Sequence, residues 1–233
     1  GPVPWRKATL RKAEQAAQDQ FAAYPAGQQL MNRVLEGTGF LTSVGIELNC
    51  VTAGNANAVA FAPDAPWNAL QNVVFKDVGP DTINVTGYSL FLANIYGGHG
   101  LRNPTQSLDP NVFSMVAGAP AHGGSFRFHL DVPLAINSRS LMGAMGNQDR
   151  AVKYELRTDI APGATVYTVG PTNPGALVVS RTLQFATVPA PVDSARMPQE
   201  QLPPHYGVVH LLNELRSEAD PVQNSTVNHF LRS

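Results

Sequence analysis

The sequence is poor in charge and almost without cysteine. Only 14% of its 233 residues are Asp, Glu, Lys or Arg, well under the quarter usual for a soluble domain. Hydrophobic residues reach 43%, so the chain buries most of its surface or hides it in an assembly. Lys and Arg number 16 against 17 Asp and Glu, a net charge of −1. A chain so close to neutral has no overall attraction for nucleic acid, and direct genome binding is not expected. The lone Cys50 can form no internal disulfide and belongs to no metal-binding cluster. Set in an alternating apolar run, it reads as a small buried hydrophobe. No apolar run approaches the roughly 20 residues that a membrane-spanning helix needs. The chain opens on Gly1-Pro2 without Met, as a processed end or a tag scar does.

Signatures of catalysis are missing too. The histidines are His99, His122, His129, His205, His210 and His229. They contain no H-x-H pair, which a cupin centre needs to bring two ligands onto one metal. No G-x-S-x-G elbow occurs. The run Gly97-Gly98-His99-Gly100 lacks the Lys-Ser/Thr of a phosphate loop and reads as a flexible loop. Acidic residues are scattered, with no pattern that pairs two carboxylates for glycoside hydrolysis. No catalytic residue, metal ligand or cofactor is assigned, and the chain is not expected to be an enzyme.

What is present is period-2 sequence punctuated by turns. Gly (20) and Pro (19) are both frequent and fall between short β-type segments. Val44, Ile46, Leu48 and Cys50 alternate with Ser43, Gly45, Glu47 and Asn49, as in a half-buried strand. Phe126, Phe128, Leu130 and Val132 alternate in the same way with Ser125, Arg127, His129 and Asp131. Further strands are expected at 58–61, 70–76, 83–86, 152–157 and 177–185, about eight in all between Phe40 and Thr187. Within 87–96 the period changes: Tyr88, Phe91, Leu92 and Ile95 have helical spacing, with Thr86 as the cap. A long loop spans Gly97 to Pro110, and Leu134 to Asn147 reads as a loop or short helix. The stretch from Trp5 to Glu36 is Ala-, Gln- and Leu-rich and reads as two short helices or a kinked arm, broken at Tyr24-Pro25-Ala26-Gly27. Residues 188–204 carry Pro189, Pro191, Pro198, Pro203 and Pro204, an extended linker. Strand-like runs follow at Val208-Leu215 and Asn224-Leu231.

The expected fold is therefore all-β: an eight-stranded antiparallel jelly-roll sandwich with an N-terminal helical arm and the beginning of a second jelly roll. The expected divisions are an arm at 1–38, a first jelly roll at 39–188, a Pro-rich linker at 189–206 and the first strands of a second, incomplete jelly roll at 207–233.

The ordered segments from Phe40 to Phe185 resemble the N-terminal jelly roll of tectivirus-like double jelly-roll major capsid proteins. Trp67-Asn68-Ala69-Leu70-Gln71-Asn72-Val73-Val74 is similar to the family's "N-L-(V)-Q-x-V" segment. Gly87-Tyr88-Ser89-Leu90-Phe91-Leu92-Ala93-Asn94 is similar to its "G-[WY]-x-L-x-[FL]-x-N" helix. Val132-Pro133-Leu134-Ala135 matches a "V-P-L-A" strand end, and Leu202-Pro203 an "L-P" near the second jelly roll. The chain departs from the family by stopping after the first strands of that second domain. The resemblance implies a structural major capsid protein of an icosahedral, internal-membrane-containing virus such as a bacteriophage. It further implies self-association into homotrimeric, pseudo-hexagonal capsomers that contact neighbouring capsomers, a place in the virion shell, and assembly in the host cytoplasm. N-terminal helices would lie beneath the shell, near the membrane.

One cluster is singled out for contact with the membrane or with another subunit: Trp5, Arg6, Lys7, Arg11 and Lys12, basic residues beside an interfacial Trp. The plainer alternative is a solvated helix end. A competing function is a receptor- or carbohydrate-binding jelly-roll module, a spike or lectin. It is weakened by the presence of only two tryptophans, Trp5 and Trp67.

Overall fold

The structure is a computed structural model and describes residues 10–35, 39–77, 81–97, 114–118, 122–136, 143–147 and 154–187. Twelve strands are assigned among them: β1 (Leu10–Phe21), β2 (Gln29–Val34), β3 (Phe40–Val51), β4 (Ala60–Phe61), β5 (Leu70–Lys76), β6 (Asp81–Val85), β7 (Ser114–Met115), β8 (Phe126–Pro133), β9 (Met145–Gly146), β10 (Glu155–Ile160), β11 (Tyr167–Val169) and β12 (Ala176–Thr187). A 3-10 turn occupies Trp67–Ala69, with helices α1 at Gly87–Tyr96 and α2 at Gly163–Val166.

All pairings are antiparallel. One sheet runs β1-β12-β3-β8-β7, with β9 beside the start of β3; the second runs β2-β10-β5-β6; β4 and β11 form a short ribbon. Let the long strands β1, β2, β3, β5, β6, β8, β10 and β12 be first to eighth. The sheets then read 1-8-3-6 and 2-7-4-5. Successive strands cross repeatedly between two facing sheets, which is the jelly-roll arrangement.

The alternation seen in sequence explains the layers. Val44, Ile46, Leu48 and Cys50 of β3, Phe126, Phe128, Leu130 and Val132 of β8, and Leu177, Val179, Leu183 and Phe185 of β12 are buried on one inner face. Leu70, Val73 and Phe75 of β5 and Leu156 and Ile160 of β10 meet them from the other sheet. Each such side chain contributes roughly 1.5–3 kcal/mol by leaving water. At one end the core becomes aromatic: Tyr24 meets Phe126 and Tyr167 edge-on at 6.2 and 6.3 Å, and Phe61 lies 5.0 Å from Tyr167. The buried hydroxyls are satisfied by backbone carbonyls, Tyr24 donating to Ala161 and Tyr167 to Gly124.

The expected strands at 44–50, 58–61, 70–76, 83–86, 125–133 and 177–185 correspond to β3, β4, β5, β6, β8 and β12. The one at 152–157 corresponds to β10, shifted toward the C-terminus. The helix from Gly87 is also found, and the Thr86 side chain accepts from the Ser89 N–H at 3.1 Å as its cap. Among the described residues of the expected loop 134–147, only Met145–Gly146 forms a strand. The loop after Gly97, the linker at 189–206 and the strands expected within 207–233 lie outside the described residues.

The helical arm is corrected. Residues 10–21 and 29–34 are strands, the first and second of the jelly roll, so the sandwich already includes Leu10 and two of its eight long strands precede Phe40. The Ala- and Gln-rich composition does favour helix, but only by tenths of a kcal/mol per residue. Against it stand a backbone ladder from Leu10 to Phe21 along β12 and the packing of Ala16 and Phe21 on the core. The break at Tyr24-Pro25-Ala26-Gly27 falls where expected, but it carries the chain from one sheet to the other.

Helix α1 roofs one flank of the sandwich. Asn94, fully buried, acts there as a substitute strand. Its amide donates to the Asp131 carbonyl at 2.7 Å, and its carbonyl accepts from the Asp131 N–H at 2.8 Å. The same amide also donates to the Leu90 carbonyl. Asn94→Ala should therefore orphan both backbone groups of Asp131, at about 1–3 kcal/mol for each. Urea titration should show a lower midpoint with unchanged slope.

Candidate functional site

The described residues contain no group of three His, Cys, Asp or Glu placed to hold a metal ion. His122 takes a loop role, its Nδ1 lying 3.1 Å from the Thr52 carbonyl. His129 lies on the outer face of β8, 3.3 Å from the Asp131 carboxylate. Gly45 stands opposite Asp131 in β3, and a Cβ at Gly45 would come within 2.7 Å of the His129 ring. The other four histidines lie outside the described residues. Cys50 is buried as expected, and burial pushes its thiol up to about 11. Its Sγ sits 3.9 Å from the Tyr167 hydroxyl.

The candidate site is thus made of faces and edges. Trp5, Arg6 and Lys7 lie outside the described residues. Arg11 and Lys12 are exposed on β1, which is the end strand of its sheet. The structure therefore places these two on a sheet edge and not on a helix. Nearly every other charged side chain among the described residues is matched within the chain. Arg127 pairs with Glu47 at 2.8 Å, Arg157 with Asp159 at 3.2 Å and Lys76 with Asp81 at 3.5 Å. Glu155 accepts from Asn32, and Asp64 from Asn68. Among the described residues, Arg11, Lys12 and Glu14 are the charged side chains left without a polar partner.

The most consequential polar group was not singled out from the sequence. Arg181 occupies an inward position of β12, between Val179 and Leu183, and is fully buried. Its Nη1 donates to Asp19 Oδ2 of β1 at 2.6 Å, and its Nη2 to Thr158 Oγ1 of β10 at 2.7 Å. The Met31 sulfur lies 3.8 Å from Nη2. Arg33 of β2 closes on the same Asp19 carboxylate from the surface. Four strands and both sheets therefore meet in one cluster around the Asp19–Arg181 pair. Burial pushes the Arg181 guanidinium below its ordinary value, and Asp19 partly restores it. Burial alone would raise the Asp19 carboxyl. The hydrogen bonds and charges of Arg33 and Arg181 outweigh it and hold Asp19 below the ordinary carboxylate range. The signal legible in sequence was an arginine at a core-facing step of the 177–185 alternation.

An aromatic group lies at the start of α1. Trp67 stacks on Phe91 with centroids 3.6 Å apart, and Tyr88 is 6.4 Å from Trp67. These are the tryptophan and helix residues of the two quoted capsid-like segments. They anchor α1 to the 3-10 turn.

The sequence matches no protein-family model, and no curated protein is similar enough to align with it. Solved structures do match. The crystal structure of the STIV major capsid protein superposes at TM-score 0.50 with 16% identity, over 78% of this chain and 50% of that one. The PBCV-1 virus capsid gives 0.50 at 12% identity, and PBCV-1 VP54, fitted into a reconstruction of the virophage Sputnik, gives 0.54 at 10%. Each of the PBCV-1 matches covers 78% of this chain and 43% of the other. The chain thus spans about half the length of these proteins. They are viral double jelly-roll major capsid proteins, and this chain has the fold of that class.

Asp19 gives a measurable consequence. Its folded-state pKa is depressed, so its stabilising contribution is complete above the ordinary carboxylate value near 3.8 and is lost as pH falls below it. Asp19→Asn should remove that acid-dependent loss. Asp19→Ala should cost about 3–5 kcal/mol at neutral pH by leaving Arg181 uncompensated in the core. Denaturant melts of both variants between pH 2.5 and 7 check the pair of expectations.

Proposed function

We propose that this chain is the first jelly roll of a viral major capsid protein, with a structural and not a catalytic role. The observation that carries this reading is the two-sheet sandwich of strand order 1-8-3-6 facing 2-7-4-5, a fold that superposes on capsid proteins of two viruses. The composition supports it. Wide protein–protein contacts have cores depleted in charge, and this chain has few charges, most of those among the described residues being matched internally. The finer reading comes from the sequence resemblance. Copies associate as trimers of pseudo-hexagonal outline, neighbouring trimers tile a shell assembled in the host cytoplasm, and residues beyond the Pro-rich linker begin a second jelly roll.

The full-length protein carrying this sequence should elute as a trimer in light-scattering chromatography and show hexagonal outlines by electron microscopy. A monomer that binds glycans on an array would instead favour the receptor- or carbohydrate-binding reading.

The N-terminal residues Trp5, Arg6 and Lys7 are proposed to touch an internal viral membrane. Residues from Leu10 onward belong to a strand, so the test changes only the segment before it. Trp5→Ala with Arg6→Ala and Lys7→Ala should abolish flotation with anionic liposomes, the fold staying intact by circular dichroism. Undiminished flotation would end the membrane contact.

A further inference from the structure

The two flanks of the sandwich are finished differently. On one, β8 is closed by β7 at Phe126 and Arg127 and by the Asn94 amide at Asp131. On the other, β1 is an end strand of twelve residues, and among the described residues nothing pairs with its outer side. An edge of that length is a template for another chain, and proteins usually blunt it with proline, a bulge or charges that repel a copy. Here the segment Leu10–Gln15 holds no proline and is straight up to the irregularity between Gln15 and Ala17.

Its charges do not repel a copy. Lys12 and Glu14 are two residues apart and so project from the same side of the strand. Neither has a polar partner among the described residues. If two copies of the segment run antiparallel about a two-fold axis through Ala13, Lys12 of each stands opposite Glu14 of the other, and Arg11 opposite Gln15. The pattern is complementary to itself, as a contact between identical patches must be. Opposite charges placed directly across from each other stabilise a strand pair.

We propose that the outer edge of β1 is a two-fold contact between copies of this chain, joined by strand pairing over Leu10–Gln15 and by two Lys12–Glu14 pairs. The inference rests on the capsid reading for its purpose, since a shell needs contacts between like subunits beyond those within one ring. Its geometry rests on the edge alone.

The test is independent of shell formation: analytical ultracentrifugation of the full chain across a concentration series, at low and high salt. Self-association by a two-fold step is expected, and it should weaken as salt rises. Lys12→Glu, or Glu14→Lys, places like charges across the axis and should weaken that step roughly tenfold or more. The combined Lys12→Glu and Glu14→Lys variant restores the pairing with the signs exchanged and should return to within about threefold of the parent. Both side chains are exposed, so thermal melts should stay unchanged and confirm that the fold is intact. A two-fold step indifferent to the single reversals, or not rescued by the exchange, overturns the contact, as does a chain that shows no such step. Shells that assemble equally well from the single-reversal variants would leave the capsid reading standing and remove this edge from it. A charge-sensitive dimer from a protein that builds no shells would do the reverse.

Discussion

The parity of β12 is the constraint on which the sandwich depends. This strand lies between β1 and β3, and its inward positions are Leu177, Val179, Arg181, Leu183 and Phe185. A slip of one residue would turn all five outward and place Val178, Ser180, Thr182 and Gln184 against the opposite sheet. Arg181 makes the correct parity unique. Only there can its guanidinium reach Asp19 on one side and Thr158 across the core. Replacing a buried ionic group by apolar residues of similar volume is often neutral or stabilising. The cluster therefore acts on register more than on total stability, since a sheet of plain aliphatic residues would accept more than one alignment.

The same cluster accounts for β1 being a strand at all. Most of its side chains face water, and its composition leans toward helix. What it gains as a strand is the ladder along β12, the apolar contacts of Ala16 and Phe21, and the engagement of Asp19 by two arginines. Without Asp19, β1 would leave a bare cation in the core as well as an unpaired edge on β12. Local preference and tertiary structure conflict here, and the tertiary side prevails through a few specific interactions.

That conflict marks the boundary of what could be read in the sequence. The strands at Phe40–Val51 and Phe126–Pro133 were legible because large apolar residues alternate with polar ones over eight or more positions, and Thr86 announced the helix that follows it. The first two strands were not legible, because an edge strand buries little and its composition carries no period-2 signal. Of the site, the cations Arg11 and Lys12 were found by type but assigned to a helix. Glu14, their complement on the edge, has meaning only once the segment is known to be extended. Arg181 shows one residue in an otherwise apolar alternation, and its partners come from residues 19, 33 and 158, a separation that no local pattern reveals.

The distribution of charge bears on how such a module enters an assembly. Covering an unpaired charge costs several kcal/mol of lost hydration, whereas a pair already joined loses less when a neighbour arrives. On the outer faces, Arg127 with Glu47, Arg157 with Asp159 and Lys76 with Asp81 are already joined. Between them lie small and neutral groups such as Ser43, Gly45, Ser180 and Thr182. Such faces can be approached closely without stranding an ion, but they offer a partner little that is specific. Specificity must then come from the groups left unmatched, and in the described chain these are Arg11, Lys12 and Glu14, gathered within four residues of the one long open edge. A polypeptide needing only solubility would scatter its free charges over the whole surface. Matched faces combined with an unmatched edge separate two tasks, close packing against neighbours and selection of the alignment in which they meet.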